Sequence, residues 1–158
     1  MPFAAPTNGP WGLQFGNQDC RVYNRSGGTV STGQVVQFEL DNSEAEVSDN
    51  NTGTKTSGLA NVVVPADNQV VGKAILAVAL QDIADDESGN VRVFGRVPAL
   101  ADGTISTLGS DLSVTSGKLF SETVGAGHGI WAISLEALSA GTPADVFFNG
   151  YGFANHPA

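Results

Sequence analysis

Histidine, cysteine and basic residues are all scarce here: the 158 residues include two His, one Cys, and seven Lys or Arg against sixteen Asp or Glu. A lone Cys20 cannot form an intramolecular disulfide, so cysteine usage calls for no oxidising compartment. It is expected to be a small buried hydrophobe at a strand start, although the adjacent Arg21 favours the thiolate form. Zinc would need a cluster of Cys and His that is missing, because His128 and His156 are the only imidazoles. No Gly-x-Ser-x-Gly elbow is present, and Gly27-Gly28 and Gly125-Ala126-Gly127-His128-Gly129 lack the Lys-Ser/Thr of a phosphate loop. The expectation is a protein that is not an enzyme, with no catalytic residue and no cofactor. A net charge of -9 without any Lys/Arg run repels a phosphate backbone, so nucleic acid is not an expected partner. The longest apolar run, Ala74 to Leu80, is too short to span a bilayer, and Met1 to Pro6 shows neither the basic region nor the apolar core of a secretory signal. A soluble body with no membrane partner is expected.

What the chain does have is 41% hydrophobic residues, 20 glycines and few charges, which is the composition of a globular domain and not of a disordered one. Its length suffices to withdraw roughly 70% of the unfolded surface from water in one domain. From Arg21 onward, short apolar segments alternate with turn residues. Val36, Phe38 and Leu40 fall at period two. Val62-Val63-Val64, Lys73 to Leu80, Val91 to Val97, Asp111 to Val114, Lys118 to Phe120, Gly129 to Leu135 and Asp145 to Phe148 follow in the same manner. Strands at about 8- to 12-residue spacing with glycine-rich turns predict an all-β fold, a compact β-sandwich or β-barrel. Asp41 to Lys55 is polar throughout and reads as a long loop.

Residues 1–20 differ. Pro2, Pro6 and Pro10 forbid a regular element, while Phe3, Trp11, Leu13 and Phe15 would be wasted on a chain segment that touched nothing. They predict an extended N-terminal arm preceding a single β domain at 21–158.

The domain carries an internal duplication. A slide of 55 residues lays Ala74 to Val97 on Gly129 to Gly152 without a gap, with Ile75, Ala77, Leu80, Val91 and Gly95 meeting Ile130, Ala132, Leu135, Val146 and Gly150. Upstream, Gly28-Thr29-Val30-Ser31-Thr32-Gly33 matches Gly103 to Gly109 with one inserted residue, which defines repeats at 28–97 and 103–152. The turn residues Asp82, Asp85, Asp86 and Glu87 of the first copy correspond to Ala137, Ala140, Gly141 and Thr142, so the carboxylates are expected to be dispensable to the fold. Their spacing departs from that of the common calcium loop, and a solvated acidic turn is the expected reading. Asp41, Glu44, Glu46 and Asp49 read the same way.

Aromatic residues concentrate at the ends. Core packing is expected for Trp131 and for at least one of Phe147 and Phe148. Tyr151 and Phe153, separated by glycine after the last strand, are placed to lie on another surface.

The run Ile133-Ser134-Leu135-Glu136-Ala137-Leu138-Ser139-Ala140-Gly141-Thr142 to Val146-Phe147-Phe148-Asn149-Gly150 and its counterpart Ala77 to Gly95 resemble capsid decoration proteins of tailed bacteriophages. The likeness covers about residues 28–152. It implies a cement, or head-stabilising, protein bound to the outside of an expanded head. In such proteins trimers are common and an N-terminal arm often makes the contacts. The partners implied are the major capsid protein and further copies of the chain, here as a homotrimer, on the capsid exterior of a virion after synthesis in the host cytoplasm. Phe3, Trp11, Leu13, Phe15, Tyr151 and Phe153 are the candidate contacts with capsid or subunit. An acidic body suits an outer surface, and binding only the expanded lattice stabilises that state by mass action. Two alternatives stand: a phage head-fibre or tail component, and a carbohydrate-binding β-module using Trp11, Tyr151, Asn149 and Asn155.

Overall fold

Period-two segments as short as these cannot stand alone and must close on one another. In the computed structural model, which describes residues 16–39, 59–64, 70–121 and 127–156, every regular element is a strand. The strands are β1 (Gln18–Asn24), β2 (Val35–Phe38), β3 (Ala60–Val63), β4 (Leu76–Ala79), β5 (Ser88–Ala99), β6 (Asp111–Thr115), β7 (Lys118–Ser121), β8 (Gly129–Ile130), β9 (Ala132–Ser134), β10 (Ala144–Asn149) and β11 (Ala154–Asn155). Hydrogen bonding runs β1-β3-β2-β4-β5-β10-β9-β6-β7, and a further pairing of β1 with β5 closes the first five into a barrel. The fold is therefore all-β, and of the two expected architectures it is the barrel.

The strands beyond β5 repeat the same ring. Val36 opposite Ala77 becomes Leu112 opposite Ala132, and Val78 opposite Arg92 becomes Ile133 opposite Phe147. Phe38 opposite Val62 becomes Val114 opposite Leu119, while Cys20 opposite Val91 becomes Val97 opposite Val146. The parallel pairing of β1 with β3 has its counterpart in the bridge from Ala101 to Leu119, which closes the second ring. Even the turns agree, since the reciprocal bonds between Val30 and Ile83 recur between Ile105 and Leu138.

β5 belongs to both rings. Its first half pairs with β1 and β4, and its second half pairs with β10, standing where β1 stands in the first barrel. Each ring encloses a core. Val22, Val30, Val36, Val62, Ala77, Ala79, Ile83, Val91 and Val93 fill the first. The equivalent Ala99, Ile105, Leu112, Leu119, Ala132, Leu138, Val146 and Phe148 fill the second. The alternate residues Val35, Leu76 and Val78 leave the first core and join the second cluster, so the outer face of β2 and β4 is where the barrels meet.

Two boundaries drawn from the sequence move. The β domain begins at Gln18 and not at Arg21, because Gln18, Asp19 and Cys20 pair with Phe94, Arg92 and Val91. The repeats also extend beyond 28–97 and 103–152 to take in β1, whose counterpart is the second half of β5. The polar stretch Asp41 to Lys55 lies outside the described residues.

Candidate functional site

The acidic turn between β4 and β5 is occupied by its own chain. Asp82 Oδ1 accepts from the Thr32 backbone N–H at 2.7 Å and its hydroxyl at 2.8 Å, and Asp85 accepts from the Gly27 N–H at 3.0 Å. Asp86 pairs with Arg25 at 2.9 Å. The buried Asn24 completes the clasp: its Nδ2 donates to the carbonyls of Gly28, Ile83 and Ala84, and its Oδ1 accepts from the Ser26 N–H. The loop that these groups hold, from Asn24 to Val30, is two residues longer than its counterpart from Ala101 to Ile105. In the first barrel Asp85 and Asp86 thus have partners, the Gly27 N–H and the Arg25 guanidinium, on a loop that the second barrel shortens, and Asp82 has its partner at Thr32 just beyond that loop. Among the described residues no group of three or more His, Cys, Asp and Glu is arranged to hold a metal ion.

Two carboxyls, Asp82 of this turn and Asp19 of β1, make stability depend on pH. Asp82 is held below the usual carboxylate range by the Thr32 donors, and Asp19 by its two-pronged bond to Arg92 at 2.7 and 2.9 Å. A carboxyl depressed on folding adds stability above its unfolded pKa of about 3.9, and loses it as pH falls through the folded value. The melting temperature is therefore expected to fall below about pH 4, and to fall less in an Asp19→Asn, Asp82→Asn double variant. Thermal melts of both proteins from pH 6 to pH 2 measure the difference.

Cys20 is half-buried and not fully enclosed. Burial, followed by the Asp19 charge, pushes its thiol up, and Arg21 turns instead to the Ser88 hydroxyl at 2.7 Å. The thiol is not an activated nucleophile. It lines an apolar cleft of about 240 Å³ with Gln18, Phe38, Ile75, Val93 and Tyr151. In the second barrel Phe148 occupies the position of Val93 and is fully buried.

Tyr151 and Phe153 stand at the surface, 49% and 40% exposed. The Gln18 amide donates to Tyr151 Oη at 3.2 Å across the cleft, and Phe153 lies against Phe147 with ring centroids 6.1 Å apart. Phe147 in turn meets Phe94 edge to face at 5.3 Å. Phe94, Phe147 and Phe153 thus form one aromatic face, and Tyr151 stands at the cleft. Phe94 was not singled out by sequence reading, and Phe147 only as a candidate for the core; the signal was there in the alternation, since Val93 and Phe148 are buried and their strand neighbours must face the other way. Phe3, Trp11, Leu13 and Phe15 lie outside the described residues.

The chain is thus a fused pair of five-stranded barrels that carries an aromatic face, and Tyr151, Phe153, Leu108 and Leu135 are among its exposed large apolar residues. No family model matches it, and no curated protein does. A solved structure that is similar is that of the head fiber gp8.5 N base of bacteriophage phi29, at a TM-score of 0.56 and 11% identity, over 86% of this chain and 98% of that chain. The likeness is one of fold.

Proposed function

We propose that this chain is a structural protein of a phage virion that binds the outer surface of the capsid and stabilises the expanded head, assembling there with further copies of itself. The observation that carries the reading is the fold likeness, which takes in nearly the whole of a phage head-fiber base. The sequence resemblance to decoration proteins points the same way from different residues. The aromatic face offers the kind of surface that anchors protein interfaces, since Tyr, Trp and Phe supply large contact area with few rotors to immobilise. A net charge of -9 keeps the body soluble and away from packaged nucleic acid.

Co-sedimentation with expanded heads lacking the protein tests this. Bound copies are expected to saturate at a simple fraction of the major capsid subunits and to raise the temperature at which heads rupture. The double variant Tyr151→Ser, Phe153→Ser should fold normally and bind at least about tenfold more weakly. Absence of saturable binding would sink the proposal. The fold likeness equally favours a second reading, the base of a head fibre; saturation at a few sites per head with no change in rupture temperature would select it.

A further inference from the structure

The duplication shows how the two barrels bind each other, and therefore which of their surfaces is left over. On the first barrel the inter-barrel face comprises Gly33, Val35, Leu76, Val78 and Leu80. Leu100 N–H donates to Gly33 O at 2.8 Å, Val35 N–H donates to Gly117 O at 2.8 Å, and a Cβ on Gly33 would come within 3.4 Å of both Leu100 and Pro143. Register carries these residues onto Gly109, Asp111, Trp131, Ile133 and Leu135 of the second barrel. Trp131 is covered within the chain and Ile133 is half-buried, but Gly109, Asp111 and Leu135 are open. Leu135 is 43% exposed, and Leu108, the residue inserted beside Gly109, is 65% exposed. Nothing lies within 4 Å of a Cβ on Gly109, where Gly33 is tightly packed.

The covering elements have counterparts too. Leu100 and Pro143, which close over the first barrel's face, correspond to Tyr23 and Ser88 of the first barrel, with Arg21 in the place of Pro98. Tyr23 is half-buried and Arg21 exposed. One acid–base pairing is available across the gap. Asp111 and Glu136, the latter accepting from the Asp145 N–H at 2.6 Å, adjoin the apolar face of the second barrel, and Arg21, bonded among the described residues to the Ser88 hydroxyl, adjoins the surface of the first.

We infer that a second copy of this chain docks its Arg21–Tyr23–Ser88 surface onto the Leu108–Ile133–Leu135 face, repeating between molecules the contact made inside each one. The interface is heterologous: two different patches meet, so each molecule keeps one of each free, and assembly continues until a ring closes or a filament forms. A tyrosine and an arginine in place of Leu100 and Pro98 make the outer contact more polar than the inner one, which suits a reversible association. The inference is independent of where the protein acts.

Sedimentation velocity of the full chain tests it. The wild type is expected to shift to species larger than the 16.2 kDa monomer as concentration rises into the hundred-micromolar range. Leu135→Glu and Arg21→Glu should each sediment as monomers with unchanged melting temperatures, because both side chains are exposed. Mixed together, the two variants should form a dimer and stop there, since the first retains an intact basic patch and the second an intact apolar face. A wild type that stays monomeric, an assembly that survives either substitution, or a mixture that fails to dimerise would each overturn the inference.

Discussion

Replacing Gly150 by alanine is expected to destabilise the protein by about 4 kcal/mol, near the upper end for single substitutions. Gly150 follows β10, and its N–H donates to Val93 O at 2.7 Å while its carbonyl accepts from Leu76 N–H at 2.9 Å. It thereby stitches the end of the second barrel to two strands of the first. A Cβ here would overlap the Leu76 carbonyl and lie 2.8 Å from Val93 O. Both neighbours are backbone, which cannot rotate away as a side chain can, so relief requires breaking the two hydrogen bonds. With roughly 2–4 °C lost per kcal/mol at this chain length, the melting temperature should drop by about 10 °C or more. Gly103→Ala is the control: nothing lies within 4 Å of its Cβ, and a change within about 0.5 kcal/mol is expected. Equal melting temperatures for the two variants would refute the argument.

Asn24→Asp should cost a comparable amount at neutral pH, for an electrostatic reason. Asn24 is fully buried, with its amide nitrogen aimed at three carbonyl oxygens at 2.8 to 3.1 Å. A carboxylate there would present negative charge to those oxygens in place of hydrogen-bond donors, and about 3–5 kcal/mol is the expected penalty. The introduced carboxyl would have its pKa raised on folding, so the penalty stands above the folded pKa and shrinks as pH falls through it. The difference in unfolding free energy between variant and wild type should therefore narrow from pH 7 to pH 4, and urea titrations at both values would measure it. A difference independent of pH would mean that the cost is steric. The second barrel has Ala101 at the equivalent position and a shorter loop, so it needs no such clasp.

How far the fold was legible in the sequence depended on where the repeat kept its spacing. The hairpins β4–β5 and β9–β10 have the same register and turn length, so one shift of 55 residues aligned them, identities included. The upstream Gly-Thr segments were recognisable despite the insertion of Leu108. β1 was not, because its counterpart lies inside β5 and the two-residue difference in the following loop breaks the alignment. Barrel and sandwich were likewise indistinguishable. The pairing of Cys20 with Val91 that closes the first ring joins strands far apart in sequence, and periodicity describes only one strand at a time.

For the candidate site, the exposure of Tyr151 and Phe153 followed from the glycine spacing after β10. Alternation turns Phe94 and Phe147 away from their buried neighbours Val93 and Phe148, but does not reveal that they will meet each other or that Phe153 will pack on Phe147. The partners of the acidic turn were hidden for a related reason. Absence from one copy shows only that the barrel can close without those carboxylates, while in the other copy Asp85 and Asp86 meet Gly27 and Arg25 of the longer loop and Asp82 meets Thr32 beyond it.

The shared strand also governs how the molecule carries load. β5 has 12 residues and is a single beam of about 40 Å threaded through both rings. With no linker between the barrels, there is no joint at which one could swing while the other stayed fixed. A pull on the second barrel reaches the first along β5, whose hydrogen bonds to β1 and β4 lie across the direction of force and must shear together instead of peeling one at a time. A body of this kind resists such a load as one piece.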